Sequence, residues 1–315
     1  MKFLLIFFSL ALLVEAKVVS RTQIIMSTFI TIYTQEKDKS YIENAFNIMK
    51  DVDRSISSYN KNSVIYDLNK NLFTFKLDSY SYEALKLSQD YYKQTDGYFD
   101  ISIGSITKKL YRFGEAERVP SSSELDNATV KLDGLHVDTR KACMEYGMQV
   151  DLGGMGKGFA VDKVSEYFKK VGVNDATIMA SGDIRCLSTC KLHVENPFGK
   201  NSLVSFDTKN DDLGVTTSGN YNRYVESMKN NHLINPLLKK SQENFISITL
   251  ISDISNSALD AYATATSVMP TQKAYEFLES IGVGYIVLQS DKRLVVSDNI
   301  SKYTKNLFVN YRNEE

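Results

Sequence analysis

Three short stretches of this sequence bring together residue types able to do chemistry. In DLGGMGKGFAVD, Asp151 is followed by Gly153, Gly154, Gly156 and Gly158, with Lys157 among them. Such glycines let backbone N–H groups approach a ligand, the helix that follows adds partial positive charge, and Lys157 adds a full one, so a phosphate could sit there. The spacing matches neither G-x-G-x-x-G nor the Walker pattern G-x-x-x-x-G-K-[ST]. The same glycines would equally serve a tight strand-to-helix turn that needs φ > 0. In SALDAYATATSVMP, Asp260 and Thr264 are four residues apart, on one face of a helix, and can offer a carboxylate and a hydroxyl to one hard cation such as Mg²⁺. The purely structural alternative is a capping arrangement of Ser257 with Asp260 and an Ala-rich face for close packing. In TTSGNYNRYV and HLINP, Thr217, Ser218 and Gly219 read as a strand-end turn, and His232 precedes an Asn-Pro break. An imidazole titrates near neutrality and can act as a general base, although a lone His is more often structural.

These residues need elements to position them. The stretch 23–33 is rich in Ile, Thr and Phe and reads as a strand. Ser40 with Glu43 reads as a capping box in front of an amphipathic helix carrying Ile42, Phe46, Met49, Val52 and Ile56. A second helix is expected over 79–94, with Gly97 just past its end, and an irregular stretch runs on to about residue 124. A short apolar strand leads into Asp151, and Ala160, Val164, Tyr167 or Phe168, and Val171 mark a helix stopped by Gly172. Short strands follow at 176–180, 192–194, 203–206, 214–217 and 246–251, then a helix over 257–269 halted before Pro270. Ala274, Phe277, Leu278 and Ile281 mark a last helix closed by Gly282, before the hairpin pattern GYIVLQSDKRLVVSD. Irregular alternation with hairpins late in the chain predicts an α+β fold with mainly antiparallel sheets, not a doubly wound parallel sheet.

Composition narrows the partners. Lys and Arg number 37 against 38 Asp and Glu, a net charge of −1, so a phosphate-tracking nucleic-acid surface is not expected. With 43% hydrophobic residues the 315-residue chain can bury a sizeable core. Residues 1–16 read as a secretory signal peptide, with an uncleaved anchor as the alternative: Met1 and Lys2, an apolar run over 3–14 too short for the roughly 20 residues of a spanning helix, and cleavage after Ala16. Cys186 and Cys190 could close a local disulfide or remain buried thiols, while Cys143 stands alone.

The order of these stretches resembles one family. DLGGMGKGFAVD, SGDIR, TTSGNY, HLINP and DAYATA look like the successive motifs of the FAD:protein FMN transferases, the ApbE family. IIMSTFITIY, SISSYNKNSVIYDLN and TDGYFDISIG resemble its N-terminal motifs, and the resemblance covers about residues 22–290. It departs at Ser27, Ser102 and Ser181, small residues standing for Gly, Thr and Gly, and at Asn235, which stands where Asp is usual.

The resemblance implies a two-lobed α+β fold with a central flavin cleft, residues 17–315 forming one catalytic domain. It implies Mg²⁺-dependent transfer of FMN from FAD to a Thr or Ser hydroxyl of a target protein, with release of AMP. Met26, Tyr59, Tyr98, Phe99, Asp100, Asp151, Lys157 and Ile234 would contact FAD. Gly154, Asp260, Ala263 and Thr264 would face the metal, and His232 would act as base on the acceptor. With the signal peptide, it implies an enzyme of the bacterial periplasm or the outer face of the inner membrane, acting on a membrane-associated redox protein. A FAD pyrophosphatase and a non-catalytic flavin-binding module are the competing readings.

Overall fold

The computed structural model describes residues 17–311, so the signal-peptide reading of 1–16 lies outside the described residues. Eight antiparallel strands form the main sheet: β1 (Val18–Ile25), β2 (Thr28–Gln35), β3 (Ala176–Ala180), β4 (Asp183–Cys186), β7 (Leu213–Gly219), β8 (Phe245–Ser252), β9 (Gly284–Gln289) and β10 (Leu294–Val296), in the order β1-β2-β3-β4-β7-β8-β9-β10. A second, three-stranded sheet has the order β11-β6-β5, with β5 at Lys191–Val194, β6 at Val204–Thr208 and β11 at Thr304–Val309. The helices that matter here are α1 (Ile42–Ile56), α2 (Ser79–Gln94), α3 (Gly156–Lys170), α4 (Asn256–Val268) and α5 (Thr271–Ile281). The arrangement is the expected α+β one.

Alternation along the strands sorts the core into two layers. Ile30, Ile32, Ile178, Ile248, Leu250 and Val287 face the helices and join the largest apolar cluster, with Phe46, Phe159 and Leu259. The opposite residues of the late strands, Ile251, Ile286 and Leu288, pack with Leu192, Val194 and Phe206 of the second sheet. Strands covered on both faces lose the exposed alternation of a half-buried strand: every residue of β8 and β9 is buried, including the polar Ser247 and Thr249 of β8.

Four local expectations are corrected. The stretch 23–33 is not one strand: Met26 and Ser27 both have positive φ, 54° and 58°, and make the two-residue turn of the β1–β2 hairpin. The Ser40–Glu43 capping box does not form, because a 3₁₀ turn over Glu36–Tyr41 runs straight into α1 and the Ile42 N–H is taken by the Lys39 carbonyl. Residues 148–150 are not a strand; Val150 N donates to Asn69 Oδ1, Gln149 N to Ser105 Oγ and Asp151 N to the Ile101 carbonyl. Finally, Ser257 and Asp260 do not cap α4. Ser255 does so from within the chain, and Asp162 does so from α3, accepting from Asn256 N at 2.7 Å and Ser257 N at 2.8 Å.

Candidate active site

A cleft of about 610 Å³ opens where the first turn of α3, the second turn of α4 and strands β3, β4 and β7 meet the segment 220–236. Its floor is a charge cluster. Lys157 Nζ lies 2.8 Å from Asp183 Oδ2 and 3.4 Å from Asp260 Oδ2. Asp183 is 1% exposed and Asp260 3% exposed. The second oxygen of Asp183 accepts from Thr216 Oγ1 at 3.0 Å, and Asp260 Oδ2 also accepts from Gly158 N at 3.3 Å. Burial, then the neighbouring Asp183, pushes the Asp260 carboxyl up to about 7. Burial acts to lower Lys157, but Asp183 and Asp260 outweigh it and hold the ammonium above its ordinary value. Thr264, one helical turn beyond Asp260, donates to the Gly154 carbonyl at 3.3 Å, so a carboxylate, a hydroxyl and a carbonyl converge beside the lysine.

The glycines of this turn are there for close approach rather than for unusual backbone angles. None of Gly153, Gly154, Gly156 and Gly158 has positive φ, which corrects the tight-turn alternative. A Cβ on Gly158 would stand 2.2 Å from the Asn256 carbonyl oxygen, and one on Gly154 would stand 3.0 Å from Thr264 Cγ2. Hence α3 and α4 touch backbone to backbone, and that contact sets the distance from Lys157 to Asp260. The N-cap residue of α3, Met155, makes no side-chain cap; in the first turn, which faces the cleft, Gly156 N donates to the Leu152 carbonyl and Gly158 N to Asp260.

His232 lies on the opposite wall. Its Nδ1 is 3.1 Å from the Arg223 carbonyl, so Nδ1–H donates there and Nε2 is left as a proton acceptor. Burial, then the Arg223 cation, lowers its pKa to about 4, and the ring is neutral at neutral pH.

The other expected residues divide into two groups. Tyr98, Phe99, Asp100, Asp151, Gly154, Ile234 and Thr264 line the cleft together with Lys157, His232 and Asp260. Asp151 is fixed by Thr107 Oγ1 and Gly153 N, while the Asp100 carboxylate is engaged by Ser102 N, and burial raises its pKa. Met26, Tyr59 and Ala263 are not among the residues that line the cleft, and Tyr59 is exposed. Met26 packs toward Gly156, the Ala263 carbonyl accepts from Ser267 Oγ, and Tyr59 is held by Arg223 Nη2 with Lys108 Nζ 3.0 Å from its ring centroid. Asn235 also points away: its amide donates to the Val268 carbonyl at 2.7 Å, and its oxygen accepts from Leu237 N and Leu238 N. Asp183, Arg223 and Asp162 were the residues not singled out. All three sit inside the motif stretches, and what marks them is pairing across strands and helices that spacing does not reveal.

Cys186 and Cys190 are disulfide-bonded, with Cα atoms 6.0 Å apart, and Cys143 is free and exposed. Among the described residues no group of three His, Cys, Asp or Glu side chains converges as a complete metal cage, and no helix is long and apolar enough to cross a membrane.

Fold and site together define an antiparallel α+β protein whose cleft presents a lysine, two buried carboxylates and the first turn of a helix. The ApbE family model matches residues 26–287, and the chain belongs to that family. It is 26% identical to the FAD:protein FMN transferase of Haemophilus influenzae, over 84% of this chain and 82% of that protein. It is 23% identical to that of Treponema pallidum, over 89% and 87%. The crystal structure of the ApbE protein from Thermotoga maritima superposes with a TM-score of 0.84 at 21% identity, over 92% of this chain and all of that one. The flavin transferase ApbE of Vibrio cholerae does so with a TM-score of 0.79 at 19% identity, over 92% of this chain and all of that one.

Proposed function

We propose that the chain is an exported, Mg²⁺-dependent flavin transferase that moves FMN from FAD onto a Thr or Ser hydroxyl of a membrane-associated redox protein and releases AMP. The relatives named FAD:protein FMN transferase support the reaction, and residues 1–16 support the location, with cleavage after Ala16 into the periplasm or onto the outer face of the inner membrane. The observation that carries the reading is the Lys157–Asp183–Asp260 cluster on the cleft floor.

The oxygens there suit a hard cation. Two carboxylates face one ammonium and leave a negative surplus, and Thr264 Oγ1 and the Gly154 carbonyl add neutral oxygen donors. The Ala263 carbonyl could join them only while shared with Ser267. When bound, Mg²⁺ supplies charge neutralisation at the pyrophosphate. The chain's own residues do the rest. Tyr98, Phe99, Asp100, Asp151 and Ile234 hold the flavin nucleotide, with Met26 and Tyr59 in support. Lys157, through its ammonium and its backbone N–H at the start of α3, binds phosphate oxygens. His232 Nε2 takes the proton from the acceptor hydroxyl, whose oxygen forms the new bond to the FMN phosphorus as the bond to AMP breaks.

Incubation with FAD, Mg²⁺ and a Thr-bearing acceptor protein should leave fluorescent, denaturation-resistant flavin on the acceptor. No label while FAD is bound would sink the proposal. Free FMN and AMP formed equally fast without acceptor would assign a pyrophosphatase, and FAD staying intact with Mg²⁺ would assign a binding module.

A further inference from the structure

The second sheet covers only part of the main one. It packs on β4, β7, β8 and β9 through Cys186, Val215, Ile251 and Ile286, whereas over β2 and β3 the outward residues Tyr33, Thr177 and Met179 remain partly exposed. A groove of about 540 Å³ lies there, bounded on its far side by Lys191, Leu192 and His193 of β5. Met179, Ile184, Leu192 and His193 line the active-site cleft as well, so groove and cleft adjoin along these residues. Along β5, Lys191 borders the groove alone and Val194 the cleft alone.

β5 is an edge strand with one free side. Toward β6, the Cys190 and Val194 carbonyls accept from the Thr208 and Leu203 N–H groups. In an antiparallel ladder the intervening residues, Lys191 and His193, then direct N–H and C=O the other way, where no strand pairs with β5 among the described residues. One further polar atom belongs to a residue on the groove face of β2 and is buried without a hydrogen-bond partner: Gln35 Oε1. The disulfide between Cys186 and Cys190 ties the end of β4 to the start of β5 and fixes where this edge lies.

Resting on the transferase reading, we infer that the acceptor polypeptide binds as an extended strand added to the free edge of β5. It lies in the groove over Thr177 and Met179 and delivers its hydroxyl residue past Val194 into the cleft. Backbone pairing gives affinity with little demand on sequence, and every second acceptor side chain rests on the sheet while the others face solvent. An edge left open is a hazard unless something is meant to pair with it.

The test uses the full mature chain with FAD, Mg²⁺ and a synthetic peptide spanning the Thr of an acceptor that the wild-type protein labels, located by mass spectrometry. N-methyl groups placed one at a time along the peptide backbone should cut labelling about tenfold at alternate positions and leave the intervening ones unaffected. Thr177→Trp, which fills the groove, and Lys191→Pro, which removes one free-edge N–H, should each raise the acceptor KM about tenfold with the FAD Kd unchanged. A response to N-methylation with no two-residue period, or an unchanged acceptor KM in both variants, overturns the inference. A wild-type protein that binds FAD but labels no acceptor fails at the earlier step, and the transferase reading falls with it.

Discussion

Replacing Gly158 by alanine isolates the contact that places Lys157 against Asp260. The added methyl would sit 2.2 Å from the Asn256 carbonyl oxygen, 2.6 Å from its carbon and 2.9 Å from Ser257 N, where ordinary contact begins at 3.4 Å. All three atoms are backbone, so no rotamer change relieves the clash, and α3 and α4 must separate by roughly 1 Å. Overpacking of this kind costs about 1–3 kcal/mol, and a rigid backbone partner puts the cost near the upper end. At about 2 °C per kcal/mol for a chain of this size, Tm should fall by about 6 °C. A displacement of about 1 Å in a positioning group lowers turnover by about a hundredfold. Gly172→Ala is the control. Gly172 has φ +79° but nothing within 4 Å of its Cβ position, so it should lose about 1 kcal/mol and no activity. The assay is a thermal melt beside single-turnover flavin transfer for both variants. A Gly158→Ala protein that melts within about 1 °C of wild type and transfers flavin at the same rate would falsify the idea that this contact sets the site.

Three more outcomes follow from the geometry. Asn235→Asp, which restores the family's usual residue, should destabilise the protein by about 2 kcal/mol, because a buried carboxylate would face the Val268 carbonyl in place of an amide donor; an equal or higher denaturant midpoint contradicts this. His232 has a folded pKa of about 4 against 6.5 for a free imidazole, so the unfolded chain binds the extra proton between those values. Its contribution of up to about 3 kcal/mol is therefore complete above pH 6.5 and lost as pH falls toward 4; His232→Gln should flatten that slope, and an NMR titration midpoint near 6.5 rules the reasoning out. Asp260→Asn should abolish the Mg²⁺ response and lower labelling at least about a hundredfold, as EDTA should do to the wild type, and undiminished Mg²⁺-dependent turnover counts against the metal assignment.

Elements governed by local signals were legible in the sequence. The span 79–94 is a helix with those bounds, capped by Asp78 and followed by Gly97 at φ +80°. The motif order pointed to the family that the comparisons support. What escaped depended on distant parts of the chain. The turn at Met26 and Ser27 carries positive φ without a glycine to announce it. Asp183 becomes a partner of Lys157 only once β4 lies against β7, where Thr216 holds its other oxygen. Neither alternative for the glycine turn, ligand approach or positive φ, includes helix contact, because the Asn256 carbonyl that crowds Gly158 lies 98 residues further along the chain. Met26, Tyr59 and Ala263 do not line the cleft for a related reason, since a motif fixes which residues are near one another and not which atoms face the opening.

Lys157 already satisfies two carboxylates before any ligand arrives. The protein therefore folds around an internal counter-ion and never holds Asp183 and Asp260 as a bare like-charged pair. Under the metal-dependent proposal, a cation held by Asp260 would take over the charge that Lys157 now supplies, and the ammonium would then be free to meet a phosphate. Metal and nucleotide would in that case each make room for the other.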